Sequence, residues 1–178
     1  LTLLTAACFS ESEYTGSRSC ISCHERFYEL WATSYHGLAM QPYSEGFAEK
    51  NLTAHKDGIK IGGAEYKAYT GESEGFILEQ KDGKEKKYQI EQVLGGKNIY
   101  YFLAELERGH LQTLPLAYDV HKKEWFDTAA SAVRHAGPGD REDQAYNWRD
   151  RPYTFNTSCY SCHVSQLLKN DNIKTDSY

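Results

Sequence analysis

The sequence contains no run of about 20 apolar residues and therefore predicts no membrane-spanning helix. Its basic residues are scattered and outnumbered, with 20 lysines and arginines against 25 acidic residues and a formal charge of −5. No nucleic-acid surface is therefore expected. Leucine, isoleucine, valine and phenylalanine together fall slightly below about 20% of the chain, a share that argues against a well-filled core in an ordinary domain. At 178 residues, the chain 1–178 is expected to form one domain.

Two five-residue stretches carry the same pattern, C-x-x-C-H, which is the attachment sequence for a c-type haem. They are Cys20-Ile21-Ser22-Cys23-His24 and Cys159-Tyr160-Ser161-Cys162-His163. Two thiols three residues apart on a helical turn can both bond to one edge of a porphyrin. The histidine that follows then lies under the ring, where it can ligate the iron. The pattern predicts two haem c groups, with Cys20, Cys23, Cys159 and Cys162 as attachment residues and His24 and His163 as proximal ligands.

Three other interpretations of the motifs are a zinc site shared by both cysteine pairs, a thioredoxin-like redox pair, and chance. Chance is weak, because about 4% of positions are histidine and both pairs would acquire one with a probability of about 0.2%. A shared zinc site would need neither histidine, and a redox pair would not need a second copy. Haem attachment is the interpretation that uses all six residues.

Two haems would also compensate for the shortage of aliphatic side chains, since each supplies a large apolar surface for side chains to cover. The 14 tyrosines and three tryptophans suit such a surface, because an aromatic ring can lie on a porphyrin while its polar end meets water. The haem propionates would make the protein more acidic still. Thioether attachment is completed outside the cytoplasm, so we expect an exported protein that is periplasmic, extracellular or held at the cell surface.

The N-terminal residues 1–7 followed by Cys8 resemble the end of a secretory signal with a lipoprotein-type cleavage site. Residues 1–13 would then be a signal remnant or an N-terminal arm, and Cys8 the position of a lipid anchor. Thr5 stands where such sites usually carry a large aliphatic residue. Because Cys8 is also the unpaired fifth cysteine, a free thiol or an intermolecular disulfide is the alternative.

The periodicity of apolar residues predicts an α+β fold. Apolar residues recur at steps of three and four from Cys23 to about Leu38, which predicts a helix that places His36 and Met40 one turn apart on one side. Residues 58–127 alternate in short runs broken by glycines, with Asp82-Gly83 as a hairpin signal, and predict an antiparallel meander of five to seven strands. A second haem helix is expected to run to about Lys169. The predicted architecture is a β meander flanked by two short haem-carrying helices, with long loops.

Two haems need two further axial ligands. His36 sits beside the first haem helix, near its predicted end, and His135 lies in a loop ahead of the second, so both are candidates for distal ligands. His121 is expected to be solvated in a hairpin turn, and Met40 to pack against aromatic rings. His110 is expected on a strand, where either face is possible, and His55, in a polar loop ahead of a strand, remains a reserve candidate.

The sequence resembles the N-terminal part of large multihaem c-type cytochromes, some of which carry tetratricopeptide repeats. The resemblance is carried by Tyr14-Thr15-Gly16-Ser17, Trp31, Ser34, His36, Ala39-Met40, residues 109–119, Trp125-Phe126, Val133-Arg134-His135, Trp148 and residues 155–159. It implies electron transfer, with His36 and His135 at the positions of distal ligands. His110 departs from the pattern, in which that position is usually basic. Such proteins continue into further haem motifs, so the chain is either a fragment or a short dihaem relative.

The expected function is therefore electron transfer, without catalysis, through two low-spin haems that each have two histidine ligands. The expected partners are redox proteins, and self-association is an open alternative. There are two competing hypotheses. The protein could be a reductase in which one haem iron keeps an open coordination position, or a subunit of a conductive cytochrome assembly.

Overall fold

The structure is a computed structural model that describes residues 16–54, 57–71, 74–131, 146–165 and 170–178. Within these residues, nine strands form two antiparallel sheets, and four α-helices and four short 3-10 helices lie outside them. The predicted α+β class is confirmed. The α-helices are α1 (Ile21–Ala32), α2 (Glu45–Asn51), α3 (Phe155–Ser158) and α4 (Tyr160–His163).

The first sheet contains four strands in sequence order, and its hairpin was predictable. The strands are β2 (Ile59–Ile61), β3 (Ala64–Thr70), β4 (Gly75–Lys81) and β5 (Lys84–Gln89). Lys81 pairs with Lys84, and the two residues between them have positive φ angles, 50° at Asp82 and 73° at Gly83. An Asp-Gly pair suits this turn because glycine adopts positive φ without steric cost.

The second sheet contains five strands in the order β1-β6-β7-β8-β9. They are β1 (Met40–Pro42), β6 (Gln92–Gly95), β7 (Ile99–Glu105), β8 (Leu111–Asp119) and β9 (Glu124–Asp127). The prediction of one meander of five to seven strands was wrong in number and connectivity. The run predicted over 84–93 divides between the sheets, because Ile90 N–H donates to Gly75 O at 2.8 Å and the next residue, Glu91, donates to Leu103 O at 2.8 Å.

Both predicted helices are shorter than their apolar periodicity suggested. The Thr33 and Ser34 hydroxyls donate to the carbonyls of Glu29 and Trp31 at 2.9 and 2.6 Å, and α1 ends at Ala32. Such local side-chain bonds compete with continuation of a helix. At the second motif, α4 ends at His163, and Val164 is already extended. No helix in the described part of the chain is long and apolar enough to cross a membrane.

The main core lies between the two sheets, and a smaller cluster lies beside the second motif. Phe102, Leu114, Leu116 and Ile77 are completely buried in the main core. The smaller cluster consists of Leu94, Leu103 and Phe155, with Met40, Tyr101, Leu111, Cys159, Tyr160 and Val164 packed against it. The second motif is thus anchored to the five-stranded sheet.

Candidate functional site

The first C-x-x-C-H motif lies at the start of α1, and its chemical groups are open to solvent. Cys20, Cys23 and His24 are all exposed. His24 departs from helical geometry, with φ −135° and ψ 41°, and so forms a kink between the motif and the rest of α1. An open cleft of about 430 Å³ is lined by Cys23, His24, Glu25, Arg26, Phe27 and Leu30. A thiol, an imidazole and apolar side chains therefore face the same space.

The apolar face of α1 is uncovered. No side chain of α1 is buried by the described chain, and the exposed fractions are 74% at Phe27, 66% at Leu30 and 40% at Trp31. These residues recur at steps of three and four after the kink and therefore share one side of the regular part of α1. Phe27 and Leu30 also line the cleft beside Cys23. Apolar surface of this kind next to a pair of exposed thiols suits a flat apolar group attached at the motif.

The second motif is more enclosed than the first. Cys159 is half-buried between α3 and α4, whereas Cys162 is exposed. Burial raises the pKa of the Cys159 thiol, and the neighbouring Cys162 raises it further. The higher pKa lowers the fraction of Cys159 that is present as the nucleophilic thiolate.

The two cysteine pairs remain separate in the fold. All four motif cysteines are free thiols. In the described ranges, no group of three or more histidine, cysteine or acidic side chains is close enough to hold a metal ion. The arrangement therefore gives no support to a zinc site that both pairs would share.

The His163 ring is held by the backbone of a distant segment. Its Nδ1 lies 3.2 Å from the carbonyl oxygen of Ala39, which also accepts a hydrogen bond from Gly95 N–H at 3.0 Å. A carbonyl oxygen only accepts, so Nδ1 donates in this hydrogen bond, and in the neutral ring Nε2 then presents its lone pair. Metal-binding histidines are usually oriented in this way, through a hydrogen bond at the other ring nitrogen.

The segment that carries His36 lies beside the second motif. Residues 36–39, which we call the 36–39 turn, follow α1 and are closed by a hydrogen bond from Ala39 N–H to His36 O at 3.3 Å. Gly37 is required there, because a Cβ atom would lie 2.3 Å from the Trp31 carbonyl. The expectation that His36 and Met40 share one side of a helix was wrong, since Met40 begins β1.

The other predicted ligand positions are distributed as follows. His135, the reserve residue His55 and the predicted lipid-anchor residue Cys8 lie outside the described residues. His110 Nε2 is 2.8 Å from the Asp176 carbonyl, and its ring contacts Tyr178. His121 is exposed in the turn between β8 and β9, as expected, with Nε2 3.1 Å from Asn98 Oδ1.

An ionic network around the buried Glu79, which sequence reasoning missed, positions the segment ahead of the second motif. Arg149 donates to both oxygens of Glu79 at 2.8 and 2.6 Å, and the hydroxyls of Tyr66 and Tyr88 each donate to Glu79 at 2.8 Å. Burial opposes ionisation of Glu79, but the hydrogen bonds from Arg149, Tyr88 and Tyr66 outweigh it and lower the Glu79 pKa. A sequence signal was present, because Glu79 is in phase with the buried position Ile77 of β4.

No protein-family profile, curated protein or solved structure matches the chain. The functional assignment therefore depends on the two motifs and on the geometry around them.

Proposed function

We propose that this protein transfers electrons through two covalently attached c-type haems, one at each C-x-x-C-H motif. The observation that carries the proposal is the second motif, where two free thiols lie one turn apart beside an imidazole that the Ala39 carbonyl already orients. When bound, a c-type haem supplies one-electron chemistry, because its iron cycles between the ferrous and ferric states.

The residues of the motifs divide into attachment and ligation. Cys20 and Cys23 would hold the first haem, and Cys159 and Cys162 the second, through thioether bonds. His24 and His163 would be the proximal iron ligands. We propose His36 and His135 as the distal ligands, so that both irons are six-coordinate and no position remains for a substrate.

The surface of α1 supports attachment at the first motif. Phe27, Leu30 and Trp31 keep large exposed areas that water solvates poorly. A group attached to Cys23 would cover this side of the helix. The exposed apolar side chains would then bind and orient the cofactor and exclude water from one of its faces.

The ligand set and the charge of the chain indicate low reduction potentials. Histidine ligation gives a lower potential than ligation by methionine. The net charge of −5 acts in the same direction, because surrounding negative charge favours the more positive ferric state. We therefore propose that both potentials lie below those of methionine-ligated cytochromes, and that the partners are redox proteins outside the cytoplasm.

The test is to produce the protein in an exporting host with haem-attachment machinery and to measure its intact mass and visible spectrum. We expect the polypeptide mass plus two haems, with a low-spin spectrum. The variant Cys20→Ser/Cys23→Ser should retain one haem and provides the control for stoichiometry. A colourless product with the mass of its amino acids alone contradicts the proposal.

A further inference from the structure

The 36–39 turn determines which iron His36 can reach. Ala39 holds the Nδ1 side of the His163 ring at 3.2 Å. The two ring nitrogens of an imidazole point to opposite sides of the ring. An iron bound at Nε2 of His163 therefore lies on the side away from Ala39, and the 36–39 turn lies behind the proximal histidine of the second haem.

His36 is too close to Ala39 in the chain to reach the opposite face of that haem. Three residues span at most about 11 Å when fully extended. The hydrogen bond between Ala39 N–H and His36 O keeps them closer than that. To reach the distal face, the chain would have to pass the His163 ring, the porphyrin plane and the porphyrin edge. The turn excludes this path.

Met40 is excluded from the distal position of the second iron for the same reason. It is bonded directly to Ala39, and its side chain packs against the cluster of Leu94, Leu103 and Phe155, which Cys159 also contacts. It therefore lies on the proximal side of the second motif.

His36 is free to ligate an iron elsewhere. The residue is exposed, and its ring has no hydrogen-bond partner among the residues that the structure describes. It follows α1, whose regular part, residues 25–32, rises about 12 Å, enough to take the chain from one side of a haem to the other. The exposed side chains of Trp31 and Tyr35 lie on the same stretch.

We propose that His36 is the distal ligand of the first haem and that the 36–39 turn serves both haems. Its imidazole would ligate the iron that His24 holds, and its last carbonyl would orient the histidine of the second haem. This inference rests on the proposed function. It assigns His36 to one iron and places the two haems on either side of a single four-residue turn.

The test uses two single-haem proteins, each with and without His36→Ala. Cys159→Ser/Cys162→Ser retains only the first haem, and Cys20→Ser/Cys23→Ser retains only the second. We expect His36→Ala to convert the first haem from low spin to high spin and to make it bind carbon monoxide when reduced. The second haem alone should be unaffected, and His121→Ala should change neither protein.

A change in the protein that retains only the second haem overturns the assignment, and so does the absence of change in both. A change that depends on protein concentration also overturns it, because the ligand would then come from another copy. A colourless wild-type protein would instead contradict the proposed function itself.

Because Cys159 packs against the core, a second measurement avoids removing it. In the two-haem protein, His36→Ala should create one carbon monoxide site per chain. Adding His24→Ala should leave that number at one, because both residues would hold the same iron. Adding His163→Ala instead should raise it to two. The reverse pattern overturns the assignment.

Discussion

Glu79 shows how strongly a single buried charge depends on its partners. Replacing Arg149 with methionine should destabilise the fold by about 2 kcal/mol, because the Glu79 carboxylate would stay buried without its counter-charge. Denaturant unfolding measures the loss. The matched control is Lys122→Met, which breaks an exposed ion pair with Glu124 and should cost less than about 0.5 kcal/mol. Equal losses in the two variants would show that the Glu79 pair is no stronger than a surface pair.

The lowered pKa of Glu79 predicts a specific response to acid. Its contribution to stability is complete above its ordinary pKa of 4.5 and is lost as the pH falls through the lower pKa of the folded state. Glu79→Gln should therefore destabilise the protein clearly at pH 7 and much less at pH 3. Unfolding free energies of both proteins at the two pH values test this, and a constant difference would contradict it.

The residues proposed to attach the haems could be selected from the sequence, but the backbone group that orients His163 could not. The C-x-x-C-H spacing is local, so six residues were identified without a fold. The Ala39 carbonyl is a backbone atom 124 positions from His163, and no side-chain pattern marks it. Glu79 was partly predictable. Its position in the alternation of β4 indicates a buried charge, but it does not identify Arg149 as the partner.

The exposed face of α1 should matter to the cofactor and not to the sheets. Phe27→Ser/Leu30→Ser should change the unfolding free energy of the haem-free protein by less than about 0.5 kcal/mol, because both side chains are exposed there. In the haem-loaded protein we expect the same variant to weaken the first haem site and shift its absorption. Ile173→Ser, at a position 88% exposed in the C-terminal segment, should shift neither. Unaltered spectra would mean that the haem does not lie on this face.

The 36–39 turn offers a second test at the level of secondary structure. Gly37→Ala places a Cβ atom against the Trp31 carbonyl and should displace the turn, weakening the bond between Ala39 and His163. A histidine that loses this bond is a poorer donor to iron, so the reduction potential of the second haem should rise. Potentiometric titration measures the change. Gly46→Ala is the control, because its Cβ would meet no atom of the described residues within 4 Å beyond its chain neighbours and its own helix backbone.

Strands could be predicted where alternating apolar and polar residues are bounded by clear turn residues. They could not be predicted where hydrogen bonds to a distant strand determine which sheet a residue joins. The Asp82-Gly83 hairpin follows from its two residues. The break at Ile90 and Glu91 does not, because both belong to one apolar-polar run and only their hydrogen-bond partners assign them to different sheets. Likewise, β1 is only three residues long and exists through its pairing with β6. The first predicted helix was too long because apolar residues keep a helical spacing past Ala32, whereas the helical backbone ends at that residue.

For the protein as a whole, carbon monoxide distinguishes an electron carrier from a reductase. If both irons carry two histidines, the reduced protein should show little spectral change with the gas. His121→Ala should behave like the wild type. A large change in the unmodified protein would indicate an open iron and favour reduction of a small molecule. Light scattering of the same sample tests self-association.

The contrast between the exposed cysteines of the first motif and the half-buried Cys159 has a consequence for the proposed attachment of haem. Cys20 and Cys23 stand on a helix that the sheets do not cover, so the maturation machinery can still reach them in the finished fold. Cys159 packs against the interior of the five-stranded sheet. If both haems are attached as proposed, their loading would have an order: the C-terminal haem would be added before Cys159 packs against the sheet, and the N-terminal haem could be added last.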